Sequence, residues 1–185
     1  GSPIYAGTYH TTSQWDDILK RIIRLKKDNY DGLKELAKNV KNGVTDVNTI
    51  YKREEIEDFS TEFLDNNIET WKDKWDIKFG GDLAQQKFVS PSKYIFLLNY
   101  ARVYKDEEVF NHVKKTLDII SNSGLNDFIE GGFYRYTVDS EWKIPHFEKM
   151  LYDQAQMISM YSQAYKLYKD ESYRNIVIET IDFLN

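Results

Sequence analysis

The chain has 185 residues, of which 41% are hydrophobic, 30% are charged and 15% are aromatic, and it contains no cysteine. The lack of cysteine excludes disulfides, thiolate metal sites and any cysteine nucleophile. With 25 basic and 30 acidic side chains the net charge is −5, which argues against nucleic acid as a partner. Because the longest apolar run, 94–98, is far too short to cross a bilayer, we expect a soluble cytoplasmic protein without a membrane partner.

The first third of the chain has the spacing of two helices. Apolar residues recur every three or four positions after Ser13, which can cap a helix. The same spacing continues after Asn29, in the same helix or a second one, until Asn42-Gly43. Residues 44–59 have no clear period, so we predict a connector there.

The remainder of the chain predicts a series of amphipathic helices. Each predicted helix carries one apolar stripe and begins at a capping residue, a proline or a turn. His112, on one of these helices, has no evident partner in the sequence and is expected at the surface. The predicted helices cover about 60–75, 91–104, 107–121, 148–168 and 171–184.

An internal repeat organises these helices. Residues 97–120 match residues 161–184 at eight of 24 positions, including the Tyr-Lys-Asp turns. Two Gly-Gly pairs, at 80–81 and 131–132, open long loops between the repeats. Helical hairpins in tandem need neighbours to bury their apolar stripes. We therefore predict an all-α hairpin array, part of an α/α toroid, with short turns on one side and long loops on the other.

The second long loop, 125–147, is the one place where strands are predicted. Residues 133–138 and 141–144 have strand character and flank Asp139-Ser140, which suggests a small β-hairpin. Long loops on a rigid scaffold commonly carry functional groups. This loop is therefore where we expect the site.

The densest set of chemically active side chains lies between residues 130 and 156. His146, which Pro145 fixes, can move a proton near neutral pH, and Glu148 stands at a predicted helix start, where the helix dipole favours its charge. Aromatic rings beside charged groups suit a sugar, whose apolar face stacks on a ring while its hydroxyls bind polar partners. The candidate residues are His146, Glu148 and Asp153 as catalytic groups, Arg135 and Asp139 as rim contacts, and Trp142 or Tyr134 as a stacking platform.

The sequence is equally compatible with purely structural roles for these residues. His146 can brace the loop against a helix end, Glu148 can be an ordinary first-turn acid, and Asp139 suits a turn as well as a ligand. Arg135 can pair with Glu141 or Glu148 across the hairpin. One histidine with scattered acids is a weak metal signal, so no metal or cofactor is expected.

The segment from Gly132 to Gln156, GFYRYTVDSEWKIPHFEKMLYDQAQ, closely resembles the signature of a widespread family. Its members carry a thioredoxin-like domain followed by an (α/α)6 toroid, and include YyaL-like bacterial proteins and spermatogenesis-associated thioredoxin-like proteins. The stretch from Pro3 to Tyr9 resembles the end of the thioredoxin-like domain. The resemblance implies a remnant of that domain at 1–12, linking helices at 13–59 and the first part of a toroid at 60–185. The chain is thus expected to be an internal fragment.

The toroid of this family resembles those of N-acylglucosamine 2-epimerases and six-hairpin glycosidases, which implies a carbohydrate-active protein. Lys87 and Phe88 match the first Gly-Gly loop of the family, and Lys87 is therefore a candidate binding residue, but both prolines of that motif are replaced here. A carbohydrate is the expected partner, with self-association through exposed toroid edges as a further expectation. The alternative is a non-catalytic structural or interaction module that accompanies the thioredoxin-like domain.

Overall fold

The computed structural model describes residues 2–50 and 60–185. The chain divides into two compact units, one within Gly1–Asp58 and the other within Phe59–Asn185. None of the helices in the described ranges is long and apolar enough to cross a membrane. The described elements are α1 (Thr12–Asp28), α2 (Tyr30–Asn48), α3 (Thr61–Lys72), β1 (Lys87–Phe88), α4 (Pro91–Tyr104), α5 (Glu107–Ser121), β2 (Tyr136–Thr137), α6 (Leu151–Tyr168) and α7 (Glu171–Leu184).

The first unit is a pair of helices, as the sequence predicts, with two corrections. Thr11 caps α1, not Ser13, through a capping box with Gln14. Helix α2 starts after Asn29 and continues through Gly43, so the prediction of a connector is wrong for residues 44–48. One internal glycine costs only about 1 kcal/mol and did not end this helix. The part of the predicted connector from 51 to 59 lies outside the described residues.

Two consecutive helical hairpins, α4–α5 and α6–α7, dominate the second unit. Both short turns have the same construction, because Lys105 and Lys169 adopt left-handed conformations with φ of 57°. The next residues, Asp106 and Asp170, then cap the following helices with their carboxylates. The predicted Tyr-Lys-Asp turns are therefore confirmed, and their equivalence supports the repeat seen in the sequence.

The core of the second unit lies between the two hairpins. Helix α6 packs on both α4 and α5, and the Tyr161 hydroxyl donates to the Leu117 carbonyl over 3.0 Å. Burial of each large apolar side chain contributes about 1.5–3 kcal/mol, so the core stabilises the packing of the two hairpins against each other. The fully buried core includes Leu97, Leu98, Val113, Leu117, Ile120, Met160, Tyr161 and Tyr173.

The strand pairing differs from the predicted local hairpin. Strand β2 pairs antiparallel with β1, which belongs to the first long loop. On its other side, Val138 N donates to Ile144 O and His146 N donates to Tyr136 O, both over 2.9 Å. The predicted pairing of 133–138 with 141–144 around a two-residue turn is thus wrong in register. The β1–β2 pairing brings the two long loops together on one side of the unit.

The start of α6 is also corrected, since the predicted start at Glu148 is three residues too early. The Arg135 amide donates to the Glu148 carbonyl over 3.0 Å, which ties residue 148 to the loop. Asp153, not Glu148, is the acidic residue of the first helical turn.

His112 is buried, against the expectation of a surface position. Its side chain is 7% exposed and its ring stacks on Trp75, with centroids 3.9 Å apart. Within the described residues its Nε2 atom has no hydrogen-bond partner. Burial lowers the pKa of His112 to about 4; Lys93 and Lys115 add to this effect, while Asp82 and Asp76 oppose it.

The buried His112 predicts a specific loss of stability in acid. The pKa falls from 6.5 in the unfolded chain to about 4 in the folded one, so the unfolded state binds the proton first and stability declines between those pH values. His112→Phe keeps the ring stack and removes the titration. We expect it to lessen the decline by about 2 kcal/mol, measured by thermal unfolding from pH 7 to 4. His10→Phe, in the first unit, is the control; identical pH profiles for His112→Phe and wild type would contradict the assignment.

Candidate functional site

The first long loop is folded around the side chain of Asp76. One carboxylate oxygen of Asp76 accepts from the Lys78 and Phe79 amides at 3.0 and 2.8 Å. The other accepts from the Lys87 ammonium group at 2.6 Å, and that group also donates to the Gly80 carbonyl at 2.6 Å. Lys87 is 2% exposed. The buried Lys87 ammonium group therefore stabilises the first long loop from its interior.

The second long loop repeats this construction around Asp127. Its carboxylate accepts from the Ile129 and Glu130 amides at 2.9 and 3.1 Å. The Lys149 ammonium group lies 2.8 Å from the other carboxylate oxygen and donates to the Gly131 carbonyl over 2.8 Å. The hydrogen bonds of Lys149 lower the pKa of Asp127 well below its usual range. Both loops are thus held by one lysine, one aspartate and one glycine carbonyl.

Sequence reasoning missed both aspartates and Lys149. A signal for them existed, because Asp-x-x-x-Gly-Gly occurs at Asp76 and again at Asp127. All four glycines of these motifs have positive φ, between 67° and 82°, where only glycine is free of strain. The repeated motif therefore encodes a loop geometry.

Two predicted binding residues have structural environments. Lys87 directs its ammonium group into the first loop, as described above. The Trp142 indole is 1% exposed and donates from Nε1 to the Phe79 carbonyl over 2.9 Å. A Cβ atom added at Gly81 would lie 2.8 Å from the Trp142 ring. The ring thus packs between the two loops and is not an open platform for a sugar.

Tyr134 and Asp139 also hold the loops together. The Tyr134 hydroxyl donates to the Asp127 carboxylate over 2.8 Å. The Asp139 carboxylate accepts from the amides of Glu141, Lys143 and Ile144 at 2.5–3.1 Å. Burial works against the charge of Asp139, but these backbone bonds outweigh it and lower its pKa. The turn role for Asp139, one of the two alternatives, therefore has direct geometric support.

The other predicted site residues form an exposed polar cluster. The Arg135 guanidinium lies 3.0 Å from Glu148 Oε1, which is one of the two pairings considered from the sequence. The same oxygen lies 3.5 Å from His146 Nδ1. Side-chain exposure is 41% for Arg135, 48% for His146 and 34% for Glu148. Glu148 is thus shared by a permanent cation and an imidazole, within reach of solvent.

Asp153 completes this cluster and has the most unusual environment in it. One of its carboxylate oxygens is enclosed and has no hydrogen-bond partner among the described residues. Burial raises the pKa of Asp153, Arg135 opposes this effect, and the negative charge of Glu148 adds to it. The cluster therefore contains one carboxylate that is paired with arginine and another whose pKa is raised by burial.

A stack of three rings leads from the cluster to the first long loop. His146 stacks on Tyr136 with centroids 4.8 Å apart, and Tyr136 stacks on Phe88 at 4.5 Å. Phe88 is 52% exposed. Neither Tyr136 nor Phe88 was among the predicted site residues, since only the β1–β2 pairing brings them together.

Comparison with known proteins finds relatives of part of the chain. No family model matches it. Spermatogenesis-associated protein 20 of Homo sapiens is 38% identical over 106 residues, which cover 55% of this chain and 14% of the human protein. The Mus musculus protein of the same name is 37% identical over 106 residues. An uncharacterised Caenorhabditis elegans protein is 34% identical over 116 residues, which cover 60% of this chain and 16% of that protein.

The similarity is consistent with the spermatogenesis-associated family that the motif resembles. The chain spans only 13–16% of the length of these relatives. Their names state no activity, substrate or partner. Only the residues of the chain itself therefore bear on its chemistry.

The buried Lys87–Asp76 pair generates a stability prediction. Lys87→Met leaves a buried carboxylate without its cation, and breaking such a pair costs about 3–5 kcal/mol. We expect that loss in urea unfolding, with partial recovery in the double variant Lys87→Met, Asp76→Asn.

Lys93→Met is the matched control for this prediction. Lys93 also pairs with an aspartate, but its partner Asp82 is 51% exposed, so the loss should stay below about 1 kcal/mol. Equal effects of the two lysine substitutions would contradict the structural role of Lys87.

Proposed function

We propose that the exposed cluster of Arg135, His146, Glu148 and Asp153 binds a carbohydrate and exchanges a proton with it. The observation that carries the proposal is Asp153, one of whose carboxylate oxygens is enclosed without a hydrogen-bond partner among the described residues, while Arg135 and Glu148 are paired with each other. A fold gains nothing from an unsatisfied buried acceptor, which costs about 1–3 kcal/mol. A group that the fold keeps at such a cost, with a perturbed pKa, is a candidate for a functional role.

The two carboxylates have different environments, which suits a division of roles. Burial raises the pKa of Asp153, a shift in the direction that suits a proton donor. Glu148, paired with Arg135, is the group that accepts hydrogen bonds from the sugar hydroxyls. His146 lies beside Glu148 and can pass a proton to or from solvent. Sugar epimerisation and glycoside hydrolysis both use a proton donor opposite a second polar group.

The arrangement of helices and loops around the cluster supports carbohydrate binding. Two helical hairpins in tandem, whose long loops meet through the β1–β2 pairing, are what we expect of one part of an α/α toroid. We propose that the chain contributes this part of a toroid to a longer cytoplasmic protein with a thioredoxin-like domain. Because one fold can host many unrelated chemistries, the side chains of the cluster carry the proposal.

A non-catalytic interaction module is the second candidate function. It is favoured by the motif residues that serve the loops themselves, namely Lys87, Tyr134, Asp139 and Trp142. On this view the motif maintains a rigid rim for another protein domain. The two candidates differ in what they require of Asp153.

Asp153→Asn separates the two candidates. If Asp153 serves a ligand, its substitution should leave the melting temperature at pH 7 unchanged or raise it, because the enclosed oxygen makes no hydrogen bond among the described residues that the substitution could remove. Binding of glucose, galactose, mannose or N-acetylglucosamine, measured by calorimetry, should fall at least tenfold in Asp153→Asn and in Glu148→Gln.

Glu107→Gln is the matched control, since Glu107 is an exposed first-turn acid at the short-turn end. It should leave sugar binding unchanged. A fall of several degrees in the melting temperature of Asp153→Asn, with no sugar binding by the wild-type chain, would favour the interaction module instead.

A further inference from the structure

A shallow groove lies beside the first long loop, next to the ring stack. Its volume is about 190 Å³, and its walls include Asp82, Gln86, Phe88 and Ser90. The groove is smaller than the 300–1,000 Å³ typical of drug-sized ligands. It therefore has room for one small ring.

Among the described residues, two polar side chains of the groove make no hydrogen bond, and a third is a paired carboxylate. Ser90 occupies the N-cap position of α4, yet its hydroxyl makes no capping bond to the helix, although serine is favoured there for that bond. The Gln86 side chain is exposed on the same wall. The Asp82 carboxylate is 51% exposed beside its partner Lys93. A hydroxyl, an amide and a carboxylate are the groups that bind sugar hydroxyls.

The groove also has an aromatic wall. One face of Phe88 stacks on Tyr136, at 16° between the planes, and the ring as a whole is 52% exposed. An exposed ring next to hydrogen-bonding groups suits a pyranose, whose apolar face covers the ring.

The ring stack joins this groove to the cluster around Glu148. Phe88 belongs to the groove, Tyr136 stands in the middle, and His146 at the far end lies beside Glu148. Successive centroids are 4.5 and 4.8 Å apart. A ligand long enough to run beside the three rings would contact both places.

We infer that the groove is a second sugar subsite, so that the ligand is a chain of at least two pyranose units and not a monosaccharide. This inference rests on the proposed function of the cluster around Asp153. One unit lies at the cluster, where proton transfer takes place, and the next unit lies on Phe88 with its hydroxyls bound by Gln86, Ser90 and Asp82.

The test compares one sugar unit with two. Calorimetry on the whole chain uses methyl glucoside, maltose and cellobiose as probes. We expect one of the disaccharides to bind about tenfold more tightly than methyl glucoside, the gain that roughly 1.4 kcal/mol of added contact supplies. Phe88→Ala and the double variant Gln86→Ala, Ser90→Ala should each abolish that gain without changing the affinity for methyl glucoside.

Two controls keep the test specific. Phe128→Ala removes another exposed phenylalanine, at the tip of the second long loop, and should leave the gain intact. Amide chemical shifts of residues 86–90 should respond to the disaccharide and not to methyl glucoside.

The possible failures are distinguishable. Equal affinities for one and two units, with methyl glucoside binding still dependent on Asp153, would overturn the second subsite and leave the proposed function standing. The absence of binding by all three probes would overturn both.

Discussion

Two lysine ammonium groups enclosed by the long loops are the constraint on which the rim of the second unit depends. An ammonium group that leaves water loses several kcal/mol of hydration, which only a close carboxylate and further acceptors restore. Asp76 and the Gly80 carbonyl do this for Lys87, and the corresponding groups do it for Lys149. Since each partner must sit within about 3 Å, the loops have one conformation although they contain little regular secondary structure.

This constraint explains how one segment supplies both structure and chemistry. Within the 132–156 motif, inward-facing side chains such as Trp142 and Asp139 make hydrogen bonds to the backbone of the long loops. The side chains that face outward, such as His146 and Glu148, bind one another near solvent. A rigid backbone on one side holds the exposed groups at fixed separations on the other, which a catalytic or binding site requires.

The sequence predicted what depends on local periodicity and missed what depends on distant pairing. Helical spacing and the repeated Lys-Asp turns located the five described helices of the second unit to within three residues or fewer. The sequence-based prediction paired β2 with the wrong segment, because its partner β1 lies in the other long loop. It also placed His112 at the surface, because only the folded structure shows that Trp75 stacks on its ring. The site cluster was predicted by residue type, whereas the burial of Lys87 and Trp142 required three-dimensional contacts.

Competing effects at Asp153 show why its position is unusual. As an acid in the first turn of α6, it gains from the helix dipole, which is worth about 0.3–1 kcal/mol and favours the charged form. Arg135 acts in the same direction. Burial and Glu148 nevertheless win, and its pKa is raised. Arg135, the cation that acts on Asp153, is already paired with Glu148. The arrangement that pairs Glu148 with Arg135 therefore leaves Asp153 with a raised pKa.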